Sequence, residues 1–119
     1  MKMIIIIFVL VFPGVALAGD WTTGDTALQL TYVAVTAADW SQTLHIARNP
    51  EQYHEKNPRL GNHPSTGSVN AHFISTIAVH TTIAWVLPKE YRTIWQMFWI
   101  GYEAGFVQRN AAIGLTLSF

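Results

Sequence analysis

The chain holds 119 residues, enough for one domain and too few for two. It contains no cysteine, which excludes disulfides, thiolate metal sites and a lipid-modified cysteine anchor. Seven basic residues balance seven acidic ones, so there is no electrostatic footprint for nucleic acid, and a hydrophobic share of 50% against a charged share of 12% points toward a membrane.

Met1 and Lys2 are followed by an unbroken apolar run from Met3 to Phe12, then by Pro13-Gly14 and Ala16-Leu17-Ala18. A positive start, a short apolar stretch and a small-x-small triplet compose a secretory signal peptide, 1–18, with cleavage expected after Ala18. The run is too short to span a bilayer, which takes about 20 apolar residues. An uncleaved anchor extended through Ala18 is the competing reading. Both readings put Asp20 outside the cytoplasm and leave 19–119 as a single helical domain.

Thr22, Thr23 and Asp25 offer N-caps to a first helix, predicted over 26–47, which Asn49-Pro50 stops because a residue before proline is pushed out of the helical region. The polar loop 48–67 carries Pro50, Pro58, Pro64, Gly61 and Gly67, a density of breakers that bars a continuous helix. A second helix follows over 68–87, with Thr66 or Ser68 as its cap and Pro88 as its stop. The third, over 90–110, is dense in aromatics: Tyr91, Trp95, Phe98, Trp99, Tyr102 and Phe106. At the end, Ile113, Leu115, Leu117 and Phe119 alternate with Gly114, Thr116 and Ser118, and that period of two reads as a short strand. The tail resembles the closing strand of an outer-membrane barrel, but a barrel needs many such strands. The expected fold class is therefore all-α: a three-helix membrane-associated bundle after an N-terminal signal sequence, with a short strand-like C-terminal tail.

Charge decides where such a bundle sits. Between Thr26 and Ala47 the only charged residue is Asp39, and between Ser68 and Leu87 there is none. Water-exposed helices carry more. With Asp20 outside, the loop bearing Arg48, Lys56 and Arg59 falls on the cytoplasmic side, as the positive-inside rule requires. Against this stands Asp39, whose insertion costs about 2.5–3.5 kcal/mol near a helix centre. The inner membrane is the expected location and a soluble periplasmic three-helix protein the rival.

Polar side chains fall into stripes on each helix. Thr36, Asp39 and Thr43 share one face of the first, with Gln42 beside them; His72, Thr76 and His80 stack on the second; Gln96, Glu103 and Asn110 repeat on the third. Convergence would bring Asp39, His80 and Glu103 into one buried network, the candidate catalytic groups of a metal-dependent hydrolase. Asp39, His72, His80 and Glu103 are the candidate metal ligands, since carboxylate and imidazole suit zinc or another divalent ion, although the sequence requires no cofactor. The competing reading is that these groups hydrogen-bond one another to fix helix pairing. His54-Glu55 opens like a zinc-protease motif, but Pro58 stands where the second histidine belongs. Gly101-x-x-x-Gly105 is a close-packing motif that serves internal packing or self-association equally. In the loop, His54, Glu55, Asn57 and His63 form a candidate binding edge, against a plain solvated loop with turn residues.

Asp39-x-x-Gln42-Thr43 followed by Glu55-x-Asn57-Pro58 and an apolar helix resembles small helical membrane proteins of bacteria and their phages, across 25–110. The resemblance implies a helical membrane protein and lends no activity, because that group has none assigned. The expected role is that of a small envelope protein acting on lipid, on other envelope proteins or on itself through Gly101 and Gly105. A phage-encoded modifier of the host envelope would suit this size.

Overall fold

A computed structural model of the protein describes residues 21–115. The expected signal peptide and the end of the expected tail, 116–119, lie outside the described residues. Among the described residues three helices make the fold: α1 (Thr23–Arg48), α2 (Thr66–Val86) and α3 (Lys89–Ala112). The all-α expectation holds, with each helix within three residues of its predicted ends.

The ends follow local chemistry. Thr22 caps α1 through a capping box: its hydroxyl accepts from the Asp25 N–H, and the Asp25 carboxylate accepts from the Thr22 N–H. Ser65, not Thr66 or Ser68, caps α2, with its Oγ accepting from the Ser68 N–H. Leu87 ends that helix and Pro88 starts the next, since proline's missing N–H costs nothing at a helix start.

Among the described residues there is no strand, and the start of the expected strand-like tail is a helix stop instead. The N–H groups of Gly114 and Leu115 return to the carbonyls of Ala111 and Asn110, and Gly114 takes φ +91°. This is the Schellman pattern, in which a left-handed glycine closes the last turn and the next apolar residue tucks inward. Leu115 is buried accordingly. Its alternation with Ile113 is thus a by-product of the helix stop.

α1 is the centre of the bundle: it packs on both other helices, most extensively on α3, while α2 and α3 meet least. At the C-terminal end of α1, Leu44, Val69 and Phe73 form the buried apolar cluster, covered by Trp40, Ala47 and Leu60. Each such side chain contributes about 1.5–3 kcal/mol on full burial. Leu60 is the loop's anchor to the bundle. Farther from that end the interior turns polar.

None of the helices is long and apolar enough to cross a membrane. The expected spans fall short because each helix carries amide, imidazole or charged groups along its inner face. Arg92, Gln96 and Thr36 are among the largest fully buried side chains, whereas Ile94, Leu30 and Phe98 are 60% or more exposed. The bundle departs from an ordinary water-soluble domain, where charged groups are almost never fully buried unless paired, in how many polar groups it buries and how many large apolar ones it exposes.

Candidate functional site

The polar interior is arranged in three layers along α1. The first joins the helix starts. The Arg92 guanidinium donates through Nη1 to Asp25 Oδ2 at 2.9 Å, through Nε to the Ala84 carbonyl and through Nη2 to the Leu87 carbonyl. Gln96 Nε2 donates to the Asp25 carbonyl at 3.0 Å. Trp21 lies over the guanidinium and stacks on Trp85 with centroids 4.3 Å apart. Burial works against an ionised Asp25, but hydrogen bonds from Thr22 and Arg92 outweigh it and hold the carboxyl below its ordinary range. One guanidinium thus ties three helix ends together.

The second layer is aromatic. His80 of α2 stacks on Tyr32 of α1, centroids 3.5 Å apart, and on Trp95 of α3 at 5.7 Å. Trp95 is fixed in turn by donating Nε1–H to the His80 carbonyl. Neither ring nitrogen of His80 has a hydrogen-bond partner. Burial alone lowers its pKa to about 4, so the ring is neutral at ordinary pH.

The third layer holds the acids. Asp39 Oδ1 accepts from Thr43 Oγ1 at 3.2 Å and from Asn110 Nδ2 at 3.3 Å. Asn110 also donates to Gln42 Oε1, and Gln42 Nε2 donates to the Val107 carbonyl. Glu103 faces Asp39 across the α1–α3 contact, near enough for the two carboxyl groups to share a proton. Burial raises both pKa values, and the neighbouring Asp39 carboxyl raises Glu103 further. Two buried carboxyls in contact do not both ionise readily, so the pair retains a proton.

The three expected stripes therefore meet, but at different levels. Asp39 and Glu103 come together as the spacing suggested. His80 does not join them; it pairs with Tyr32, two helical turns earlier on α1. His72 sits half-buried with its ring edge-on to Phe73. Gln96 belongs to the Asp25–Arg92 layer. Among the described residues no three His, Asp or Glu side chains are grouped to hold a metal ion. Physically, the imidazoles lie among aromatic rings rather than carboxylates.

The loop edge resolves differently from its expected form. Glu55 and Asn57 are buried. Glu55 Oε1 accepts from the N–H groups of Lys56 and Asn57, and Asn57 Oδ1 from that of Arg59, so both side chains hold the loop's own turns. His54 and His63 are exposed, their rings 6.2 Å apart. A Cβ placed on Gly101 or Gly105 would meet nothing within 4 Å, so the bundle does not use the close-packing motif.

Two residues that matter went unread: Arg92, which falls in the first turn of the predicted third helix with no role assigned, and Asp25, which is treated only as a cap. A signal was present. Arg92 lies one turn before Gln96 on the face that continues to Glu103 and Asn110, and Asp25 lies two turns before Tyr32 on the inner face of α1. Compared with known proteins, the chain matches no family model, no curated protein and no solved structure.

Proposed function

We propose that this is a membrane-associated helical protein of the cell envelope that acts by contact with lipid and other envelope components, not by catalysis. The observation that carries the reading is the placement of side chains on α3: large apolar groups are exposed while Arg92, Gln96 and Glu103 are buried. On α3, Tyr91, Ile94 and Phe98 are all at least 60% exposed and share one helix face, with Met97 beside them at 59%. A contiguous patch of large apolar side chains marks an interaction surface. Aromatic and aliphatic residues of this kind bury well at a bilayer surface, while Arg92 and Glu103 of the same helix are turned inward and Lys89, Glu90 and Arg109 are exposed near its ends. Inside, Asp39, Glu103, Asn110 and Gln42 act as polar fasteners between α1 and α3, a use of polar groups favoured where the exterior is apolar.

The test is co-sedimentation of the purified protein with phosphatidylglycerol/phosphatidylethanolamine vesicles, beside carbonate extraction of cell membranes. The protein should pellet with vesicles and resist carbonate. Ile94→Glu with Phe98→Glu, both at exposed positions, should keep the helical content and release the protein from vesicles. A wild-type protein that stays in the supernatant with vesicles present, and is extracted by carbonate, would overturn the reading.

A further inference from the structure

Between the least-contacted pair of helices lies an open cavity of about 290 Å³. Its walls come from both helices and from the loop: Ser75, Thr76 and His80 on α2, Trp95 and Trp99 on α3, and Arg59 from the loop. Val79 adds an exposed apolar rim. The inner wall is rigid. Trp95 is pinned by its bond to the His80 carbonyl, and Trp99 packs edge-on against it at 5.5 Å.

The polar groups at its mouth are accessible: Ser75 is exposed and Thr76 half-buried on α2. Arg59, exposed beside them, places a cation at the cavity and makes no ion pair among the described residues.

We infer that this cavity binds a small monocarboxylate with an apolar body. Arg59 meets the carboxylate as a planar fork, with the Ser75 and Thr76 hydroxyls as neutral partners. The body lies against the Trp95 and Trp99 rings and Val79. A single guanidinium beside neutral donors suits one negative charge. A phosphate dianion would meet only one cation there, with Glu103 close enough to feel the same Arg59 charge. Concave, mostly apolar walls with a few convergent polar groups are what a small-molecule site requires. The inference does not depend on membrane association.

Benzoate, benzamide and inorganic phosphate are the probes, applied to the full chain and read by calorimetry and by the Trp99 indole N–H resonance. Benzoate should bind and shift that resonance, benzamide should bind more weakly, and phosphate should leave it unmoved. Arg59→Gln, at an exposed position, should weaken benzoate about tenfold, as loss of a charge-assisted hydrogen bond implies, and leave benzamide unchanged. Ser75→Phe, which fills the cavity from its exposed edge, should abolish both. The inference fails if benzoate leaves the Trp99 signal in place, if phosphate moves it as strongly, or if either variant binds benzoate like the wild type while circular dichroism shows it folded.

Discussion

Arg92 of α3 reaches Asp25 of α1 at 2.9 Å, and their side chains are 1% and 4% exposed. A buried ion pair is rarely worth more than an apolar pair of the same shape, because both ions must be taken from water. Here the guanidinium also accepts the role of a cap, donating to the Ala84 and Leu87 carbonyls at the end of α2. What it supplies is the join between three helix ends, and removing it leaves a carboxylate and two carbonyls behind.

Arg92→Ala should therefore cost about 3–5 kcal/mol, the usual penalty for stranding a buried charge. Arg92→Lys should recover little, since a point-like ammonium lacks the fork that serves Asp25 and two carbonyls together. Urea denaturation followed by circular dichroism measures both. Equal stability of wild type and Arg92→Ala would mean that the pair contributes nothing to the fold.

How far the sequence reveals this arrangement depends on distance along the chain. Helix stops are short-range events: Asn49-Pro50 and Pro88 fix them within a few residues, and both were readable. The pairing of Asp39 with Glu103 was readable too, because seven-residue spacing on α3 puts Glu103 and Asn110 on one face. The height at which two helices engage is set instead by long-range packing, and no local pattern encodes it. His80 therefore meets Tyr32 and not Asp39. Arg92 was missed for a related reason. A charged residue four after Pro88 reads as solvent-facing unless its partner, 67 residues away at Asp25, is known.

His80 should make the fold acid-sensitive. Its folded pKa, about 4, lies below the ordinary 6.5, so the unfolded chain binds a proton between these values and the folded one does not. Stability is then complete above pH 6.5 and falls as pH drops toward 4, by about 3 kcal/mol for one proton over that interval. His80→Phe keeps the stack on Tyr32 and Trp95 without a titrating group. Its urea midpoint should vary less than that of the wild type between pH 7 and pH 4, and parallel curves would refute the assignment.

The capping box at Thr22 gives a smaller, local effect. Thr22→Ala removes the acceptor for the Asp25 N–H and should lower stability by about 1 kcal/mol. Asp25 keeps its bond to the Thr22 backbone N–H and its contact with Arg92, so the loss should stop there. A thermal melt of the variant decides it: a drop comparable to that of Arg92→Ala would mean that Thr22 does more than cap.

The acid pair should act on stability with the opposite sign. Burial raises both Asp39 and Glu103, so the folded protein holds a proton that the unfolded chain releases above its ordinary carboxylate values, 3.8 and 4.5. Stability from this source is full below those values and declines as pH rises toward the raised ones, by about 1.4 kcal/mol per pH unit for each proton retained. Glu103→Gln supplies a permanent neutral donor to Asp39, and Asp39→Asn does the same from α1. Each should flatten the decline between neutral and alkaline pH while leaving helical content intact. This decline starts near pH 4 and overlaps the His80 window, so the two effects oppose each other below pH 6.5 and only the pair acts above it. If Glu103→Gln leaves the alkaline limb unchanged in a urea titration, the two carboxyls do not share a proton, and the link between α1 and α3 rests on Asn110 and Gln42 alone.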